Sequence, residues 1–386
     1  MTGRPAGWYP LLLATGSIGI ANSVVFALLS NLQDEYGFSD AGLGLIAGSG
    51  FLVGLIGQIL LAPFADRGHS KALLLGGLGC AVLGNLLFAM SSSLVTLVAS
   101  RAVVGLSNSL FIPAARGIAI RISPDNVAER LGTMSGIELA GFVTGPVIGG
   151  FLVGPFGLKV PFLVTGAVAL AGAALLAPRK LPEPFASPTS TEKSRIALDL
   201  LRLPRVRAGV LMSMALFLPV GFYDATLDVY LTDRGASDVF IGMTFLAYGI
   251  PFALLATAGG RLADRRGAVR VAFLSTIFVA PLTMAYGLIA APIVILGLTV
   301  VEGCMQAVGV PASQSIVAAA APPGRTAAAQ GLAGGSNLLI AAITAYSAGA
   351  LYKLVGPGWL YSIAGCGVAL FALLSLWQAR VSSSAQ

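Results

Sequence analysis

Apolar residues run along this chain in long blocks, separated by short stretches that hold charge, proline or glycine. Twelve blocks are legible, at about 8–30, 41–65, 71–91, 94–118, 129–153, 160–177, 207–231, 238–262, 269–289, 292–317, 326–352 and 358–379. Each is long enough to cross about 30 Å of hydrocarbon. Strict apolar–polar alternation is missing. Backbone amides in lipid must also find partners within their own segment, so the blocks are predicted to be helices. The first block, beginning near Trp8, has no obvious cleavage site and leads into further spans, so it is expected to stay in the protein.

Composition removes a soluble fold from consideration. Of 386 residues, 56% are hydrophobic and 10% charged, whereas soluble domains carry about 25% charged residues. Mean hydropathy is +0.88. The net charge of +7 is topological rather than a nucleic-acid footprint. With a cytoplasmic N-terminus, nineteen Lys and Arg fall inside and three outside (Lys159, Arg234, Lys353), with Arg101 within a span. That asymmetry places both termini in the cytoplasm. Cys80, Cys304 and Cys366 lie in apolar blocks without metal-ligand or redox spacing, and are read as buried, inert thiols.

The stretch around Pro182, Pro184 and Pro188 is long, polar and basic, and divides the blocks six and six. The expected organisation is an N-terminal bundle over 1–178, a cytoplasmic linker over 179–206 and a C-terminal bundle over 207–386. The later linker, from about Ser194 to Leu203, reads either as a flexible connection or as a short amphipathic helix on the membrane surface. An offset of 198 residues aligns Ala65, Asp66 and Arg67 with Ala263, Asp264 and Arg265. It also aligns Val103, Gly105, Pro113 and Ala114 with Val301, Gly303, Pro311 and Ala312. One residue further, Gly132 and Gly136 meet Gly331 and Gly335. Two related six-helix halves follow, an arrangement that puts a substrate site near the midplane in carriers that rock about it.

These loops carry a resemblance. GRLADRRGAVR, Gly260 to Arg270, and PFADRGHSK, Pro63 to Lys71, resemble the cytoplasmic-loop signature of the major facilitator superfamily. The first copy departs from it, with Pro63 read in the first-glycine place and His69 in the later one. The resemblance covers essentially the whole chain. It implies an all-α membrane protein, twelve transmembrane helices in two pseudo-symmetric bundles. Asp66, Arg67, Asp264, Arg265, Gly260, Gly267 and Arg270 become candidate gating residues, since an Asp at a helix N-terminus is favoured by the macrodipole and an Arg can pair with a carboxylate. GFVTGPVIGG, Gly141 to Gly150, resembles the antiporter signature of the superfamily's drug:proton exporters through Gly145, Pro146, Gly149 and Gly150. Bare glycine faces permit close helix approach, and Pro146 frees a backbone bond, which together predict a hinge or sliding contact between halves. LVASRAVVG resembles the span-4 signature whose arginine, here Arg101, the family implicates in proton coupling.

Four carboxylates fall within predicted spans: Glu138, Asp224, Asp228 and Glu302. A central charge costs about 2.5–3.5 kcal/mol on insertion scales, so such groups are functional candidates. With Arg101 they form the expected proton-coupling set, ordered Asp224, Glu302, Glu138. Asp224 and Asp228 share one helix face. Asp228 lies towards the outer interface, where a solvated role is as good a reading. Asn22, Asn108, Phe217, Tyr223, Tyr248 and Gln306 are candidate substrate contacts, with interhelical hydrogen bonding and bundle packing as the structural alternatives.

The expected activity is secondary active transport: export of a hydrophobic or cationic small molecule by alternating access as protons enter. A metabolite symporter, or a lipid or sugar exporter of the same fold, is the alternative. No GxxxxGK[ST] pattern occurs, which argues against ATP as the energy source. No cofactor, metal or enzymatic role is expected. The expected partners are substrate, protons and the bilayer of the cell membrane, the protein acting as a monomer.

Overall fold

The computed structural model describes residues 7–182 and 196–384, and every regular element in them is helical. The helices are α1 (Trp8–Ser23), α2 (Leu29–Tyr36), α3 (Asp40–Phe64), α4 (Ser70–Met90), α5 (Leu94–Ile122), α6 (Val127–Phe156), α7 (Lys159–Leu176), α8 (Pro204–Thr232), α9 (Asp238–Arg266), α10 (Ala268–Leu288), α11 (Pro292–Ala320) and α12 (Thr326–Ser384). Among the described residues ten helical stretches are long and apolar enough to cross a membrane. Two of them, Ala41–Met90 and Thr326–Arg380, have 50 and 55 residues, more than twice the roughly 20 that one crossing needs. Each is interrupted by a left-handed glycine: Gly68 at φ +89° and Gly356 at φ +75°.

Local chemistry starts and stops the helices. Ser39 and Ser237 cap α3 and α9, accepting from the amides of Gly42 and Phe240, one of the orphan donors at each start. Pro204 and Pro292 open α8 and α11 at a position where a missing N–H costs nothing. The first span runs further than its sequence implied. A 3₁₀ turn, Val24–Ala27, links α1 to α2, so exposed Asp34 and Glu35 lie inside a helix rather than beyond it.

The repeat is written into the backbone. Gly37 and Gly235, 198 residues apart, both adopt positive φ just before the Ser39 and Ser237 caps, and Gly157 and Gly356, 199 apart, do so between helical segments. Close packing repeats as well. A side chain on Gly105 would strike the backbone of Gly50, and one on Gly303 would strike that of Tyr248, the position 198 residues after Gly50.

The described residues fall into two compact units. One draws on Met1–Ile122, Ile137–Ala197 and Pro323–Gly335; the other on Ser123–Gly136, Leu198–Pro322 and Ser336–Gln386. The first ten residues of α6 therefore belong with the second unit, and the first ten of α12 with the first. The first unit holds a core of Val24, Leu28, Ile46, Leu97 and the stacked rings of Phe88 and Phe162, with centroids 4.8 Å apart. The second holds Leu227, Tyr230, Ile241, Tyr286, Ile295 and Tyr361. Of the linker, 183–195 lies outside the described residues. The expected amphipathic helix is a 3₁₀ turn, Ala197–Arg202, with Ala197 and Leu200 buried and Leu198 exposed. Among the cysteines, Cys80 and Cys304 are half-buried and Cys366 is exposed, which corrects the expectation of three buried thiols.

Candidate functional site

Two aspartates cap two helices far away in sequence. Asp66 Oδ1 accepts from the Ala327 amide at 3.0 Å and its Oδ2 from that of Ala328 at 2.8 Å. Asp264 Oδ1 accepts from Ala128 at 2.9 Å and its Oδ2 from Glu129 at 2.8 Å. These amides belong to the first turns of α12 and α6, where donors lack intrahelical acceptors and the macrodipole attracts negative charge. Ala327 and Ala328 follow Ala128 and Glu129 by 199 residues, so the repeat extends to the bonding pattern.

The arginines expected beside these aspartates behave differently. Arg67 stacks on Phe64, 5.2 Å from the ring centroid. Arg265 and Arg270 are exposed and in no ion pair among the described residues, whereas Arg261 pairs with Glu129 at 2.9 Å. Alignment on the aspartates also puts Ala62, not Pro63, opposite Gly260. Both sites need a small residue: Ala62 packs against Gly331, and a side chain on Gly260 would meet the carbonyl of Ala128. His69 does replace Gly267, whose φ is +92°, and the left-handed position moves one residue back to Gly68, inside a π turn, Ala65–His69. The Asp66 cap forms despite that departure.

The glycine face of α6 meets α1. A side chain on Gly141 would strike the Gly16 carbonyl, one on Gly145 would lie 2.6 Å from the Ile20 carbonyl, and one on Gly149 would touch Val24. Both partners lie in the first unit, so this contact is internal to it, not the contact between halves that the sequence led us to expect. Gly150 faces open space and takes no part. α6 stays helical through Pro146. In the second unit the small residue changes sides: Ser23 faces Gly145 in one, and Gly221 faces Thr344 in the other.

Glu302 on α11 is 1% exposed. Gln306 Nε2 donates to its Oε1 at 3.1 Å, and Tyr248 donates to Gln306 Oε1 at 3.3 Å. Tyr286 and Tyr223 lie near the same carboxylate, and the Tyr223 hydroxyl donates to Thr283 at 2.9 Å. No cation pairs with Glu302 among the described residues. Thus Tyr223, Tyr248, Gln306 and Glu302, separate expectations from the sequence, form one cluster. Tyr286 and Tyr361 complete it and were missed, because tyrosines in apolar blocks look like ordinary core. Asp224 and Asp228 share the exposed face of α8 and bond to no described residue, while Phe217 is half-buried on the same helix.

Arg101 on α5 is 4% exposed and has no carboxylate partner among the described residues. Its Nη1 donates to the Asn22 carbonyl at 2.7 Å, near the point where α1 gives way to the 3₁₀ turn. The Asn22 Nδ2 donates to the Ile18 carbonyl at 2.9 Å and to the Ser107 hydroxyl at 3.3 Å. Asn108 is half-buried and bonds to no described residue. Glu138 is paired with Arg116 at 3.1 Å, their side chains 28% and 12% exposed. Arg116, counted above with the cytoplasmic charge, instead sits inside α5. A signal existed: Arg116 and Glu138 precede Gln314 and Asn337, polar residues inside later helices, by 198 and 199 residues.

An apolar, all-helical chain with a doubled helix-capping loop and ten helical stretches long enough to cross a bilayer among its described residues is a multi-pass membrane protein. The Major Facilitator Superfamily model matches residues 11–237 and 209–386, and the chain belongs to that family. The human MFS-type transporter SLC18B1 is 24% identical over 287 residues, 69% of this chain and 61% of that protein. A chloramphenicol resistance protein of Streptomyces lividans is 26% identical over 313 residues, 78% of each. The human vesicular acetylcholine transporter is 30% identical over 243 residues, 58% of this chain and 43% of that one. The chain thus spans between about two fifths and four fifths of these relatives. The crystal structure of the human organic anion transporter MFSD10 (TETRAN) matches with a TM-score of 0.78 at 20% identity, covering 96% of this chain and 98% of that one, a likeness of fold.

Proposed function

We propose that this protein is a proton-coupled exporter that moves a hydrophobic or cationic small molecule out across the cell membrane. In this reading the chain crosses twelve times, the 50- and 55-residue helical stretches each providing two crossings. Six-helix halves over 1–178 and 207–386 are joined by a linker at 179–206, both termini are cytoplasmic, and a monomer alternates access. The Asp66 and Asp264 caps latch one state of that cycle, and breaking them accompanies the change to the other.

The observation that carries coupling is Glu302: an acid buried in an apolar helix, hydrogen-bonded to Gln306 and unpaired with any cation among the described residues. An unpaired buried carboxylate is costly when ionised, so its protonation state is tied to what its surroundings supply. Glu302 therefore ranks above Asp224, which is exposed, and Glu138, which has Arg116. The chloramphenicol resistance relative supports export and drug-like cargo. Reconstituted in liposomes with an imposed pH gradient, the protein should release protons when a lipophilic compound is added. Protons moving together with a polar metabolite would make it an importer instead.

A further inference from the structure

Among its described residues the first unit buries a cation, Arg101, to which no carboxylate is paired. Arg101 is 96% shielded, two turns into the 29-residue helix α5. Among the described residues its one hydrogen bond goes to a neutral carbonyl, that of Asn22, and its Nε finds no acceptor. A guanidinium in low dielectric normally answers to a carboxylate or phosphate, which its planar fork matches in geometry. What surrounds this one is aromatic: it lies 4.9 Å from the Phe26 ring centroid and 5.8 Å from that of Phe51. Phe26 in turn contacts Phe51 at 6.1 Å and Phe142 at 5.8 Å.

The approach is open on the aromatic side, for Phe51 is 42% exposed. Phe51 also lies one turn from Leu55 and two from Gln58, both of which pack against glycines of α12 within this unit. α12 thus packs on α3 one to two turns from Phe51. Gly50 completes the arrangement, since a side chain there would press on Arg101 Nε at 2.6 Å.

We propose that Arg101, with Phe26 and Phe51, binds the carboxylate of an amphipathic aromatic anion, the acid group on the guanidinium and the ring against the phenyl faces. Charge selects the anion, and the rings reward an aromatic body over a bare inorganic ion. The inference does not rest on proton coupling: either can fail while the other holds.

The test uses the purified full-length protein in uncharged detergent and the intrinsic fluorescence anisotropy of 2-naphthoate, with uncharged 2-naphthylmethanol as its match. The wild type should bind naphthoate saturably and at least tenfold more tightly than naphthylmethanol, with benzoate displacing it. Arg101→Gln should lose that preference, Arg101→Lys should keep part of it, and Phe51→Ala should weaken naphthoate several-fold. Equal binding of the two probes, or undiminished naphthoate preference in Arg101→Gln, overturns the proposal. If Arg101→Gln does not fold, Phe51→Ala decides: unchanged naphthoate affinity there overturns it.

Discussion

The Asp66 carboxylate lies 2.8 Å from the amide of Ala328, a residue 262 positions later in the chain. The same carboxylate takes the preceding amide, and Asp264 repeats the arrangement on α6. Each aspartate thus fixes a helix start that belongs to its own compact unit, although the two are far apart in sequence.

Removing such a cap costs about 1–2 kcal/mol. In Asp66→Ala the amides of Ala327 and Ala328 should exchange with solvent deuterium roughly 5–30-fold faster. Asp264→Ala should do the same at Ala128 and Glu129 while leaving Ala327 and Ala328 protected. Unchanged exchange in both variants would remove the latch from the account.

Gly145 and Gly150 make a matched contrast within one signature. Gly145→Leu places a side chain where the Ile20 carbonyl stands, so α1 and α6 must separate, at a cost of about 1–3 kcal/mol. Transport should fall at least tenfold with the protein still inserted. Gly150→Leu enters open space and should transport normally. Equal loss in both would mean that the glycines act through something other than helix approach.

Arg116 and Glu138 should behave as a pair. Either single change, Arg116→Gln or Glu138→Gln, leaves a half-buried charge alone. With side chains 12% and 28% exposed, the loss should be a fraction of the roughly 3–5 kcal/mol of a fully buried pair. The double variant should recover most of the lost thermal stability. Additive losses would show that the two charges act independently.

Part of the architecture was legible in the sequence because lipid imposes it: block length foretold long apolar helices, and the 198-residue repeat foretold the doubled glycine and capping pattern. The two aspartates stood out in their loops, but the helices they cap did not, because the amides they accept from lie 135 to 262 positions away. What the sequence did not carry was partner choice. Arg116 looks like one more inside charge until α5 is seen to run on to Ile122, and the α6 glycines could meet any helix until α1 is set against them. Tyr286 and Tyr361 join Glu302 through packing between helices separated by loops of free length, which no spacing along the chain encodes.

The central claim is that Glu302 carries the coupled proton, and the measurement that meets it most directly compares two fluxes in Glu302→Gln. Liposomes holding this variant are given the lipophilic compound that discharges a pH gradient through the wild type. Substrate-for-substrate exchange should persist near the wild-type rate, while gradient-driven transport and proton release disappear. Asp224→Asn should retain both. Full proton release from Glu302→Gln, or a wild type that discharges the gradient for no lipophilic compound, would contradict the account.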